Sequence, residues 1–146
     1  MTVFNMADLD SLIRLRRHTV EEKQKVLAEI LRHLEGLDAQ KKELLDRLEK
    51  ERQALEENLN LETREYYGRF EGVIRGNIEK LDAELVALEG KLQQAQENVR
   101  AAFADMKRVE IVHERRQKEE QKEIDDKESR ELDAIGIEGF RRKEDF

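Results

Sequence analysis

Between Ile74 and His113 the chain places residues on one helical stripe by alternating steps of four and three: Ile74, Ile78, Leu81, Leu85, Leu88, Leu92, Ala95, Val99, Ala102, Met106, Val109 and His113. Eleven of these twelve positions are apolar, and the residues between them are mostly Glu, Lys, Arg, Gln and Asp. This is the a/d seam of a heptad repeat, a pattern that a helix of 3.6 residues per turn turns into one narrow apolar face. A helix carrying such a seam needs another helix to cover it.

A second, looser seam precedes it: Ile13, Val20, Leu27, Ile30, Leu34, Leu37, Leu44, Leu48 and Leu55. It steps over Arg16, Lys23, Lys41 and Glu51, while Leu31, Leu45 and Leu59 widen the stripe. Continued by sevens, this first seam falls two residues out of step with the later one. Coiled coils absorb insertions of three or four residues. A shift of two instead rotates the stripe by about 200°, to the opposite face of a continuous helix. A turn between two helices accounts for the shift more simply.

Matched lengths place that turn. Ile13 to Leu55 and Phe70 to Val112 each span 42 residue steps, so folding near residue 62 or 63 sets Leu55 against Phe70 and Ile13 near His113. Asn58 and Asn60 tolerate turn geometry, and Thr63 is a candidate helix cap. The expected fold is therefore all-α, two long helices forming an antiparallel coiled-coil hairpin in a single domain. The first helix is expected over 9–58, the turn over 59–64 and the second helix over 65–133. Gly136 and Gly139 are candidate stops, with a flexible tail over 134–146. Gly68, Gly72 and Gly76 lie four apart, a spacing that either softens the helix near the tip or admits the close approach of another backbone.

Composition agrees with long helices. Charged residues make up 43% of the 146 residues, aromatics 5%, and Pro, Trp and Cys are absent. Without Pro nothing interrupts a long helix, and without Cys there is no disulfide or thiolate chemistry. No apolar run reaches the roughly 18 residues of a bilayer span. Asp8, Asp10 and Arg14 break up any signal-peptide core, so a cytoplasmic location is expected. The net charge of −7 opposes general nucleic-acid binding.

The residues that carry catalysis elsewhere find no framework here. Glu110-Ile-Val-His113 has the Glu-x-x-His spacing of di-iron bundles, but such sites need a second copy and further glutamates. No phosphate-binding glycine loop and no Ser/His/Asp grouping occurs, and a two-helix hairpin offers no enclosed substrate cavity. No enzyme, cofactor or metal site is expected. Charge is more informative. At the expected tip, Glu49, Glu51, Glu56, Glu57, Glu62, Glu65 and Glu71 outnumber Lys50, Arg52, Arg64 and Arg69. At the open end, Arg14, Arg16 and Arg17 face only Asp10 within residues 9–18. Across 107–122, six basic residues that include Arg108, Arg115, Arg116 and Lys118 outnumber four glutamates. A basic end on an acidic chain is either a solvated face or a docking surface for an acidic partner.

Two stretches at these ends resemble a known family. Asp10-Ser-Leu-Ile-Arg-Leu-Arg-Arg-His-Thr-Val-Glu-Glu-Lys-Gln is one. Ala102-Phe-Ala-Asp-Met-Lys-Arg-Val-Glu-Ile-Val-His-Glu-Arg-Arg, followed later by Glu131-Leu-Asp-Ala-Ile-Gly, is the other. Together they resemble the FliJ family of flagellar type III export proteins, especially its α-proteobacterial members. The resemblance implies a soluble stalk of the export ATPase hexamer, peripherally associated with the inner-membrane export apparatus through its partners. It implies ATPase docking at the open end, through Arg14, Arg16, Arg17, Arg108, Arg115, Arg116 and Lys118. It also implies contact of the tip with the cytoplasmic domain of the export gate, through Tyr67, Phe70 and Ile74, and escort of export chaperones. A monomer is expected. Read without the resemblance, the same pattern would serve a generic structural or chaperone-like coiled-coil scaffold.

Overall fold

The computed structural model describes residues 6–144. It contains two helices, α1 (Met6–Glu57) and α2 (Leu61–Glu144), which form the antiparallel coiled-coil hairpin expected from the seams. No residue among those described is a strand. By contacts the chain divides into two compact units, one of residues 20–101 and one combining the N-terminal residues to Thr19 with Ala102 onward.

The first unit holds the turn. Only Asn58, Leu59 and Asn60 lie between the helices, a tighter and earlier turn than the expected 59–64. Asn60 rather than Thr63 caps α2. Its side-chain Oδ1 accepts the Thr63 backbone N–H at 2.7 Å and the Thr63 hydroxyl at 2.6 Å, while its backbone oxygen accepts Arg64 N–H at 3.1 Å. An Asn at the N-cap thereby satisfies one of the orphan donors of the first turn. None of the described residues has a positive φ, so the chain reverses without left-handed geometry. The three glycines near the tip are not sites of close approach within the molecule. A Cβ added at Gly68, Gly72 or Gly76 would meet nothing within 4 Å.

The core of this unit is the two seams. Val20, Leu37 and Leu48 from α1 and Ile74, Leu88 and Ala95 from α2 are buried, and the intervening seam residues are half-buried. The flanking leucines do not widen the core. Leu31, Leu45 and Leu59 remain exposed, because two helices can cover only the narrow stripe between them. Lys41, one of the polar residues on the α1 seam, reaches across to Asp82 of α2 at 2.7 Å.

In the second unit, Leu9 and Ile13 are buried together with Ala102 and Met106. Leu9 extends the α1 seam one step before Ile13. Past Arg116 every described residue of α2 but Glu138 is exposed, Ile124, Leu132, Ile135, Ile137 and Phe140 included. The helix nevertheless continues through Gly136 and Gly139 to Glu144, where a flexible tail is expected from the sequence. Glycine costs about 1 kcal/mol in a helix but does not forbid it. Short-range pairs such as Glu114–Lys118 at 3.1 Å and Glu138–Arg141 at 3.2 Å support the exposed segment. Arg141, Arg142 and Lys143 also fall in the last turn, where cations complement the helix dipole.

Truncating Leu88, 7% exposed, to Ala is expected to cost about 2–5 kcal/mol in urea unfolding, against under about 0.5 kcal/mol for Val86→Ala at 69% exposure. Equal losses would mean that the seam is not the core. Gly90→Ala, whose new methyl meets open space, is expected to stabilise by up to about 1 kcal/mol in the same assay.

Candidate functional site

Two surfaces carry the residues singled out in the sequence. At the open end the basic side chains are not equivalent. Arg17 is committed to the fold: its Nε and Nη2 both donate to Glu110 Oε1, at 3.3 and 3.2 Å, tying α1 to α2. Lys107 donates to the other oxygen of Glu110 at 3.2 Å. One turn away, His113 Nε2 lies 3.2 Å from Asp10 Oδ1, a second bridge between the helices. The Lys107 hydrogen bond, followed by that of Arg17, holds the Glu110 carboxyl below the ordinary glutamate range, while partial desolvation pulls the other way.

Arg16 occupies a seam position, is half-buried, and has its Nε buried with no hydrogen-bond partner. Arg116 is half-buried and engaged within the protein. Arg108 pairs with Asp105 at 3.0 Å and Lys118 with Glu114 at 3.1 Å, both within α2 and both highly exposed. Such surface pairs are worth little and exchange readily. Arg14 makes only a long 3.4 Å contact with the Ser11 hydroxyl. Arg14 and Arg115 are the two exposed arginines of the set with no carboxylate partner among the described residues. Asp10, Ile13, Arg14, Arg17 and His113 line one shallow depression here, while Leu9, Leu12, Arg108, Val109 and Val112 line another.

At the tip, Tyr66 and Phe70 stack with ring centroids 6.2 Å apart, and the Arg47 guanidinium lies 6.0 Å from the Phe70 centroid. Tyr67 and Phe70 are half-buried, whereas Leu59, Leu61, Tyr66 and Val73 are exposed. Ile74 is placed differently from its expected contact role. At 4% exposure it belongs to the seam, because it continues the stripe of Ile78 and Leu81 and must be covered by α1. Arg52 gathers Glu49 and Glu56, each at 2.6 Å, and lowers the Glu49 pKa through its hydrogen bond. That arginine therefore offers a partner no spare charge.

Sequence reasoning missed the role of Glu110 and the Asp10–His113 bridge. Signals were present, since His113 holds a seam position and Asp10 lies opposite it once the helices fold back. Glu110 and His113, spaced as in a metal-binding unit, each engage α1 instead. No group of three or more His, Cys, Asp or Glu side chains able to hold a metal ion occurs among the described residues. Nor is any helix among them long and apolar enough to cross a membrane.

Glu110→Gln is expected to lower thermal stability at neutral pH. The folded carboxyl titrates below its ordinary value of 4.5. Its contribution is therefore whole above that value and fades as the pH falls through the depressed one. Melting temperatures of both proteins across an acid series check this, and a gap that stays constant into strong acid would exclude it.

A family model described as flagellar FliJ protein matches residues 6–145. No curated protein matches the chain. No solved structure matches it either.

Proposed function

The chain belongs to the FliJ family of flagellar export components, which are not enzymes, and on that premise we propose that it is the stalk of the export ATPase. In this reading the open end docks in the ATPase hexamer and the tip meets the cytoplasmic domain of the export gate. The protein works as a monomer in the cytoplasm, held at the inner membrane by its partners, and escorts export chaperones.

The observation that carries the docking assignment is the pair Arg14 and Arg115. Both are exposed at the open end, and neither is held by a carboxylate among the described residues. An exposed cation with no carboxylate partner gives up no ion pair when it meets an acidic partner. Arg108 and Lys118 join them by exchanging exposed pairs within α2. Arg17 serves the hairpin itself through Glu110. At the tip, Tyr67 and Phe70 supply the aromatic contact, and Ile74 supports them from the core.

The double variant Arg14→Glu with Arg115→Glu is expected to weaken stimulation of ATP hydrolysis by the purified cognate ATPase at least about tenfold in apparent affinity. Its melting temperature should stay close to that of the parent, since neither residue bridges the helices. Undiminished stimulation would remove the docking assignment. Arg17→Glu, by contrast, should lower the melting temperature, because it sets a second carboxylate beside Glu110.

A further inference from the structure

The open end is closed by charge on one side and open on the other. Asp10, Arg14 and Arg17 follow one face of α1, where the bridges Asp10–His113 and Arg17–Glu110 span the helices. Leu9, Leu12 and Arg16 follow the other face, by the 100° step between successive helical residues. There, Leu9 and Leu12 of α1 and Val109 and Val112 of α2 form an apolar groove with Arg108 at its edge. Val112 remains 41% exposed, although it sits beside the seam.

Arg16 is one turn from Leu12 on that same face, and its Nε is shielded from water without an acceptor. A desolvated guanidinium N–H with no partner calls for one, and its strongest partner is a carboxylate. The groove thus joins an apolar floor to a weakly held cation at its edge, Arg108, with Arg16 one turn beyond Leu12 along α1.

We propose that this groove binds an acidic amphipathic helix of a partner protein. Apolar side chains spaced by three and four seat on Leu12, Val109 and Val112, and a carboxylate beside them meets Arg16 or Arg108. The groove between two antiparallel helices accepts a third helix by the packing that joins the first two. The charge is set by the cations that border the floor. The proposal shares the open end with the docking reading above. Its test uses a peptide and no ATPase, so either can fail alone.

The full chain is titrated into a fluorescein-labelled model helix of about 21 residues repeating Leu-Glu-Glu-Leu-Ala-Glu-Glu, with the Lys-for-Glu peptide as control. Binding is read by anisotropy. The acidic peptide is expected to bind, more weakly as salt rises from roughly 0.05 to 0.5 M. Val112→Asp and Arg108→Glu should each reduce affinity roughly tenfold or more, with circular-dichroism melting showing that both variants remain folded. Tyr66→Ala at the tip should bind as the parent does. Equal binding of the basic peptide, or full affinity in folded Val112→Asp, would overturn the proposal. So would a dimer in light scattering that Val112→Asp dissolves, since the occupant would then be a second copy of the chain.

Discussion

Burial of one narrow apolar stripe against another is the interaction on which the rest of this protein depends. Each helix is polar over most of its circumference, and only the residues at steps of three and four leave water when the chain folds back. None of the described side chains is buried to below 2% exposure. Two helices surround a seam on two sides, never on all. Stability therefore comes from many partly buried layers, each worth a fraction of the full transfer energy of its side chain. The cost of removing one layer stays large because its neighbours have no third helix to close the gap.

The polar residues that interrupt the seams do a different job. Lys41 meets Asp82 and His113 meets Asp10, both across the hairpin. Partly exposed pairs of this kind add little stability. They do discriminate between registers, because a slip of one heptad would set Asp82 against Leu34 or Leu48 in place of Lys41. Arg16 lacks such a partner, its Nε being buried without an acceptor.

The same geometry explains why function lies at the ends. A hairpin of two helices encloses no cavity, so the chain can act only through its surface. An export component of the FliJ family fits that constraint. Its chemistry is the placement of charge and apolar surface. The open end separates these into an ion-paired side and an apolar side, and the tip carries stacked aromatics on helices otherwise rich in charge.

The heptad spacing of Ile74 to His113, and the two-residue offset of the earlier seam, were enough to read the hairpin and its approximate turn from the sequence. Both follow from the fixed 100° turn of a helix, which links sequence position to direction with no knowledge of the fold. Local rules carried less well at the margins. Asn60 took the cap that Thr63 also offered, and α2 passed through Gly136 and Gly139, since a glycine lowers helix stability without ending it. The basic character of the open end was legible as composition. Which arginines remain available was not. Arg17 is paired with Glu110, ninety-three residues away, while Arg14 has no carboxylate partner among the described residues. Only the folded structure decides between them, because it depends on which side of α1 faces α2. The same holds for Ile74: its sequence spacing allowed it to serve core or contact, and packing against α1 made it core.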